Sequence, residues 1–217
     1  MNDNIFMHEV KNILSNIYLL AEIMEDSKVS NELSDDLLDN LALLKQSVDH
    51  LKNIEADYDQ YKKVGASIIN KTQVNLAGLI TTIVSEYDGL AEHHSVSLST
   101  NCRQIRITTD ATKLKQVISN LVSNAIKYNP NGKVLIECRI INNKVNVIVK
   151  DTGIGLSAKE ISTLGTAFYR CKKIETEGTG LGWAIIKSIV ALMNWDIKVN
   201  SGSKSQFEYT TTVTLIL

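Results

Sequence analysis

Two runs of apolar residues recur at heptad spacing within the first 63 residues of this 217-residue chain. The first run is Phe6, Val10, Ile13, Ile17, Leu20 and Met24, and the second is Leu37, Leu41, Leu44, Val48 and Leu51. Alternating steps of four and three place each run along one face of an α-helix, as in a coiled-coil seam. A short polar stretch at 26–31 separates the runs, which predicts an antiparallel helical hairpin. Because two helices alone bury little surface, we expect a homodimeric four-helix bundle.

Charge is divided unevenly along the chain. Residues 1–63 carry 6 basic and 13 acidic side chains, whereas the other 154 residues carry 17 basic and 11 acidic ones. The acidic helical pattern stops near 64–67, so we predict a helical hairpin over 1–64 and a second domain over 65–217. The net charge of −1 excludes a generally basic nucleic-acid binder, and the acidic bundle would repel a phosphate backbone.

Other classes are excluded by composition. No run of about 18 apolar residues is present, so we expect no membrane span and no membrane contact by this chain. The N-terminal MNDNIFMHEVKN lacks the cationic start of a signal peptide. The cysteines Cys102, Cys138 and Cys171 are far apart and form no C-x-x-C pair, which argues against a disulfide scaffold and a zinc site. A reduced, cytoplasmic setting is expected.

The heptad places a histidine on the outer face of the first helix. With Phe6 and Val10 in the seam, His8 lies farthest from that seam. Glu9 follows it, and Asn12 lies one turn further along the same face. An exposed imidazole can act as a nucleophile, with Glu9 orienting the ring or accepting its proton and Asn12 positioning a water or a second substrate. Taken alone, these residues are more commonly an ordinary solvated helix face.

From residue 72 onward, helical and strand patterns alternate. Helices are predicted at 76–92, from the N-cap Asp110 to about Lys127, and at 179–193, and strands at 96–100, 104–108, 134–141, 144–150, 195–201 and 206–217. Asn142-Asn143 predicts a tight turn between two of these strands. Helices mixed with hairpins favour an α+β sandwich with a mixed sheet.

Two polar motifs in this domain suit a nucleotide. In NLVSNAIKY, residues 120–128, the side chains of Asn120, Asn124 and Lys127 share one helix face. Two amides and an ammonium group suit Mg²⁺ and phosphate oxygens. In DTGIGLS, residues 151–157, Asp151 follows an apolar strand and can accept a hydrogen bond from an exocyclic amine such as that of adenine.

The second of these motifs contains two glycines, and a third motif is rich in glycine. Gly153 and Gly155 allow close backbone approach to a ligand. GTGLG, residues 178–182, opens a predicted helix, where free N–H groups and a partial positive charge favour phosphates. It lacks the Lys and Ser or Thr of a P-loop, and no strand directly precedes it as in a dinucleotide fingerprint. Trp183, directly after this motif, is expected to be core packing.

In this order, the motifs resemble those of two-component sensor histidine kinase catalytic cores over nearly the whole chain. MHEVKN resembles the H box, NLVSNAIKYNP the N box, DTGIGL the first Gly box, AFYR the F box and GTGLG the second Gly box. The resemblance implies a dimerisation and histidine-phosphotransfer bundle, followed by an ATP-binding domain of the gyrase, Hsp90 and histidine-kinase superfamily. It also implies ATP and Mg²⁺ as cofactors.

The resemblance implies a role for each matching residue. His8 would be phosphorylated, Glu9 would be its acid–base neighbour and Asn12 would support dephosphorylation of a partner. Asn124 would ligate Mg²⁺, with Asn120 nearby. The other cofactor-binding positions are Lys127 and Arg170 toward phosphate, Tyr128 beside the nucleotide, Asp151 at adenine, Gly153, Gly155 and Leu156 around its pocket, Phe168 packing a lid over 156–177, and Gly178, Thr179, Gly180, Leu181 and Gly182 over the phosphates.

The implied function is an ATP-dependent protein-histidine kinase that autophosphorylates His8 and passes the phosphoryl group to an Asp of a response regulator. The resemblance also allows a regulator phosphatase activity, with regulator recognition around Asn12, Ser15 and Asn16. One alternative is a phosphotransfer scaffold with a non-catalytic ATP-binding-like domain, although its Gly boxes would be eroded. Another is an anti-sigma factor of the serine kinase type, which lacks a His-bearing bundle helix. The sequence leaves open whether the phosphoryl group is transferred within one chain or across the dimer. It also leaves open whether the chain is a small soluble kinase or the cytoplasmic part of a longer sensor.

Overall fold

The computed structural model describes residues 10, 13–15, 17–19, 35–64, 68–169, 178–202 and 208–217. His8, Glu9, Asn12 and Arg170 lie outside the described residues, as does Asn16. Residues 10, 13–15 and 17–19 are helical, and helix α1 runs without a break over Asp35–Val64. The helix predicted from the second heptad run is confirmed, and it continues well past Leu51.

Most of the described chain beyond α1 is built around a mixed sheet. The strands are β1 (Lys71–Asn75), β2 (Ser97–Cys102), β3 (Arg106–Asp110), β4 (Lys133–Ile141), β5 (Lys144–Asp151), β6 (Asp196–Ser201) and β7 (Thr211–Ile216). Five of them form a sheet in the order β2-β4-β5-β7-β6, in which only the β2–β4 pair is parallel. β1 and β3 form a separate antiparallel pair. The predicted α+β architecture with a mixed sheet is confirmed.

Helices cover one side of this sheet. They are α2 (Leu76–His93), α3 (Ala111–Lys127) and α5 (Gly182–Met193), and a short helix, α4 (Ala158–Thr163), lies between β5 and α5 in the chain. α3 and α5 bury aliphatic side chains such as Ile118, Leu121, Ile185 and Ile186 against strand residues such as Val147. Each such side chain contributes about 1.5–3 kcal/mol when fully buried, so this layer holds the ends of α3 and α5 in fixed positions. α1 packs against α5.

Asp110 caps α3 as predicted. Its Oδ1 accepts a hydrogen bond of 3.0 Å from the backbone N–H of Lys113, which is the bond that defines a side-chain N-cap. Its Oδ2 accepts another, of 2.8 Å, from the N–H of Asn70. The cap fixes the residue at which α3 begins, and it therefore also sets which residues lie in the last turns of the helix.

Several predicted boundaries are wrong. The strands predicted at 96–100 and 104–108 are β2 at Ser97–Cys102 and β3 at Arg106–Asp110. The last predicted strand, 206–217, is β7 at Thr211–Ile216, with 203–207 outside the described residues. The helix predicted from residue 179 begins at Gly182, because Gly180 adopts a left-handed φ of 72° that a right-handed helix excludes. β1 and α4 were not predicted.

Candidate functional site

A cavity of about 1560 Å³ lies between α1 and the ends of α3, β5 and α5. Its walls include the predicted site residues Asn120, Asn124, Lys127, Tyr128, Asp151, Gly155, Leu156, Gly178, Thr179, Gly180 and Gly182. Gly153, Phe168 and Leu181 do not line it, although they contact residues that do. The cavity exceeds the usual range of about 300–1,000 Å³ for a small-molecule site. It therefore has room for a ligand and for a group that approaches from α1.

Asp151 lies at the end of β5 in the cavity wall. Its Oδ1 accepts a hydrogen bond of 2.9 Å from the backbone N–H of Gly153, and the Thr211 hydroxyl also donates to this carboxylate. Burial raises the pKa of Asp151 to about 6, against the lowering effect of these two hydrogen bonds. Because a buried carboxylate is stabilised by each added donor, an amino group of a ligand would bind favourably here.

The glycines after Asp151 are required by contacts within the protein. A Cβ on Gly153 would lie 2.4 Å from the carbonyl oxygen of Tyr128 at the end of α3. Gly155 has a φ of 68°, and its Cβ would lie 2.7 Å from Cγ2 of Thr210. No other residue type fits these two positions without strain. The loop can therefore pass closely between α3 and the start of β7, which sets the position of Asp151.

The last turns of α3 present two amides to the cavity. Nδ2 of Asn120 donates a hydrogen bond of 3.0 Å to the backbone carbonyl of Gln116. Its Oδ1 faces the start of α5, 3.2 Å from where a Cβ on Gly182 would lie. Nδ2 of Asn124 is buried and has no hydrogen-bond partner among the described residues. Since a flip of the amide exchanges its nitrogen and oxygen, Asn124 can offer a ligand either a donor or an acceptor.

These amides fit a cation that arrives with its ligand. Across the described ranges, no group of three or more His, Cys, Asp and Glu side chains could hold a metal ion. Amide oxygens are hard donors, and Mg²⁺ usually takes most of its other ligands from phosphate and water. The unpartnered amide of Asn124 is therefore suited to Mg²⁺ that is bound together with a phosphate group.

The glycine-rich loop before α5 packs against the backbone of Phe168, whose ring contacts α1. Gly180 has a φ of 72°, and a Cβ there would lie 2.8 Å from the Cα of Phe168. Phe168 itself has a positive φ of 62°, and its ring centroid lies 6.3 Å from that of Tyr58 on α1. Leu181, the N-cap of α5, provides no side-chain hydrogen bond. The first N–H groups of α5 therefore suit an anion.

The opposite wall of the cavity is a polar stripe on α1, which the heptad pattern alone did not reveal. The stripe consists of Gln46, His50, Asn53 and Asp57, spaced 4, 3 and 4 on the face away from the seam. The Thr179 hydroxyl donates a hydrogen bond of 2.6 Å to Oδ2 of Asp57 and accepts one of 3.2 Å from the N–H of Leu181. The spacing is visible in the sequence, but only the packing of α1 on α5 shows what the stripe faces.

Trp183 packs as predicted and has a second role that was not predicted. It packs partly against the hydrophobic core, as expected for the first turn of α5, but it also lines the cavity. The sequence does not show that Trp183 lines the cavity. Trp183 follows directly on Gly182, and the direction of its side chain depends on where α5 begins.

Comparison with known proteins gives a consistent family. Residues 109–217 match the family described as histidine kinase-, DNA gyrase B- and HSP90-like ATPases. The sensor histidine kinase CusS of Escherichia coli (strain K12) is 30% identical over 206 residues, which covers 91% of this chain and 42% of CusS. This chain thus spans less than half the length of the curated relatives that it matches.

Two solved structures have a similar fold. The histidine kinase ThkA, in complex with the response regulator protein TrrA, has a TM-score of 0.77 at 18% identity, and the match covers 100% of this chain and 61% of ThkA. Full-length ShkA in complex with AMPPNP has a TM-score of 0.69 at 20% identity, covering 92% of this chain and 45% of ShkA. In the part of the chain that the structure describes, no helix is both long and apolar enough to span a bilayer.

Proposed function

The chain belongs to the family of histidine kinase-, DNA gyrase B- and HSP90-like ATPases and has the catalytic core of a two-component histidine kinase, and we propose that it phosphorylates itself on His8 with ATP. It then passes the phosphoryl group to an aspartate of a response regulator. The observation that carries this proposal is the convergence of Asp151, Asn124 and the Gly178–Gly182 loop on one cavity.

The cavity wall has groups that suit both the base and the phosphates of ATP. The half-buried Asp151 carboxylate would accept a hydrogen bond from the exocyclic amine of adenine. Lys127 and the first N–H groups of α5 would neutralise the phosphates. Mg²⁺ bound with ATP would supply further charge neutralisation, and Asn124 is the residue that would hold it. Glycine at position 182 leaves the space beside Asn120 open.

The transfer itself needs positioning more than covalent help from the protein. An imidazole nitrogen of His8 would attack the γ-phosphorus, forming the P–N bond while the P–O bond to ADP breaks and ADP leaves with the electron pair. Glu9 would take the imidazole proton. The regulator aspartate would then attack the same phosphorus, forming a P–O bond as the P–N bond breaks. An amide at position 120 is a poor base, which favours transfer to His8 over attack by water.

The partners proposed are a second copy of this chain and a response regulator. Leu14 and Tyr18, four residues apart on one face of the first helical segment, are 51% and 67% exposed in the single chain. Large exposed apolar side chains on a helix are typical of a surface that another chain covers. The TrrA complex shows that ThkA, which shares this fold, binds a response regulator. Asn12 would support removal of the phosphoryl group from the regulator.

The proposal is tested by incubating the protein with Mg²⁺ and γ-labelled ATP. We expect label on the wild-type chain that is lost in acid and kept in base, as for phosphohistidine. His8→Ala and Asn124→Asp should remove it. The matched controls are His93→Ala, an exposed histidine of α2, and Asn101→Asp, an exposed amide of β2, neither of which lines the cavity. Both controls should keep the label.

A nucleotide titration on the same samples separates the remaining outcomes. Label that persists in His8→Ala would contradict the assignment of the acceptor. Wild-type protein that neither binds ATP nor takes up label would favour the phosphotransfer scaffold. His8→Ala should still bind ATP with wild-type affinity, because His8 is proposed only as the acceptor.

A further inference from the structure

Cys102 and Cys138 face each other on neighbouring parallel strands. They are direct register partners in the β2–β4 pair, and their Sγ atoms lie 2.6 Å apart as free thiols. Adjacent strands lie about 4.7–4.9 Å apart, which is within the Cα separation of about 4.4–6.8 Å that a disulfide spans. Register partners also project their side chains from the same face of the sheet. The register and the strand spacing are therefore compatible with a bond between these sulfurs.

The two thiols differ in their access to solvent. β2 is an edge strand of the sheet, and Cys102 at its end is half-buried, whereas Cys138 on β4 is fully buried in the core. Contact with the Cys138 thiol lowers the pKa of the Cys102 thiol, and the same contact, together with burial, raises the pKa of Cys138. The Cys102 thiol therefore ionises more readily than the Cys138 thiol.

We propose that Cys102 and Cys138 are an oxidation site, which closes to a reversible disulfide when the protein meets a hydroperoxide. A thiolate that solvent can reach, beside a second thiol, is the arrangement that distinguishes redox-responsive cysteines from inert buried ones. Neither residue lines the cavity, so the site is separate from the proposed nucleotide site.

The reaction has two steps. The Cys102 thiolate attacks the hydroperoxide, so that an S–O bond forms, the O–O bond breaks, and hydroxide or an alkoxide leaves and takes a proton from solvent. The sulfur of Cys138 then attacks the sulfenic acid on Cys102, forming the S–S bond as the S–O bond breaks, and hydroxide leaves as water with the proton from Cys138. Two electrons pass from the two thiols to the hydroperoxide, and a dithiol reductant reverses the change by exchange.

The disulfide would join the edge strand to the centre of the domain. It would close a loop between residues 36 positions apart, which includes all of β3 and α3. A covalent loop of this size restricts the unfolded chain. We therefore expect oxidation to raise the midpoint of thermal unfolding by roughly 5 °C or more, given the usual relation of stability to midpoint for a domain of this size.

The test uses the full chain with Cys171→Ser, which leaves only the proposed pair. After treatment with hydrogen peroxide, the intact mass should fall by two hydrogen atoms, and digestion without reductant should give one peptide joining Cys102 to Cys138. A dithiol should restore the mass and the lower unfolding midpoint. Adding Cys102→Ala at its half-buried position should abolish the linked peptide and the midpoint shift.

Three results would overturn the proposal. One is a folded Cys171→Ser protein that gains oxygen atoms on Cys102 without forming the link. Another is a link that joins two chains, seen as a dimer on a non-reducing gel. A third is a wild-type link that always includes Cys171.

Discussion

The hydroxyl of Thr179 donates a hydrogen bond of 2.6 Å to the carboxylate of Asp57, and this bond ties the glycine-rich loop to α1. The ring contact between Tyr58 and Phe168 lies beside it. The loop proposed to cover the phosphates is thus held by the helix that faces it. The Asp57 carboxylate that accepts this bond lies in the cavity wall, where its negative charge repels a phosphate.

Asp57→Asn removes this charge and keeps an oxygen that can accept the Thr179 bond. We expect the affinity for ADP to rise about three- to tenfold, because roughly 1 kcal/mol of repulsion is relieved. Isothermal titration calorimetry measures the change. Asp59→Asn is the matched control, since Asp59 pairs with the exposed Lys63 and does not line the cavity. If Asp57→Asn instead bound ADP more weakly, this prediction would be contradicted, and the result would mean that the charged hydrogen bond orders the loop for binding.

Asp151 makes the folded state less stable as it ionises. Burial raises its pKa from 3.8 to about 6, so the folded chain holds this proton more tightly than the unfolded chain does. Stability due to this group is therefore highest below about pH 4 and falls as the pH rises to about 6. Asp151→Asn should be more stable than wild type above about pH 6, by up to about 3 kcal/mol, and equal to it below about pH 4. Urea unfolding across this range measures the difference, and a gap that does not change with pH would contradict the assignment.

The same substitution should weaken nucleotide binding. Asn at position 151 keeps an acceptor for the Gly153 N–H but loses the charge-assisted bond proposed for the adenine amine. We expect ATP affinity to fall at least about tenfold, as for the loss of a hydrogen bond to a charged group. Asp88→Asn, an exposed carboxylate of α2, should bind ATP normally. A variant that is stabilised but binds ATP normally would place adenine elsewhere.

Two glycines of one loop should respond differently to alanine. A Cβ on Gly178 would have nothing within 4 Å, whereas at Gly180 the φ of 72° and the backbone of Phe168 at 2.8 Å both exclude it. We expect Gly180→Ala to lower the free energy of unfolding by at least about 1–2 kcal/mol. Gly178→Ala should change it by less than about 0.5 kcal/mol. Thermal unfolding of both variants measures this, and equal effects would mean that the loop does not hold this conformation in solution.

Local signals in the sequence were sufficient for much of the fold. Asn142 and Asn143 have φ values of 51° and 60°, as a two-residue turn of the I′ type needs, and the ladder closes beside them at Ile141 and Lys144. Asp110 caps α3 through its own side chain. Each of these features depends on residues within a few positions of one another, so a pattern in the sequence can predict it.

Features that depend on distant partners were missed or displaced. β1 is polar and buries only Val74, and it exists as a strand because it pairs with β3 more than 30 residues away. The polar stripe on α1 has an ordinary solvent-facing pattern until α5 packs beside it. α4 is an exception, because its capping box of Ser157 and Glu160 is local and could have been recognised.

Trp183 gives the protein an optical probe of its own cavity. The chain has only one other tryptophan, Trp195, which lies just beyond the end of α5. With Trp195 replaced by Phe, all indole emission would come from the cavity wall. The wavelength of this emission depends on the polarity around the indole ring. A loop that closes over the cavity wall, or a ligand that displaces water from it, would therefore shift the emission maximum without any attached dye.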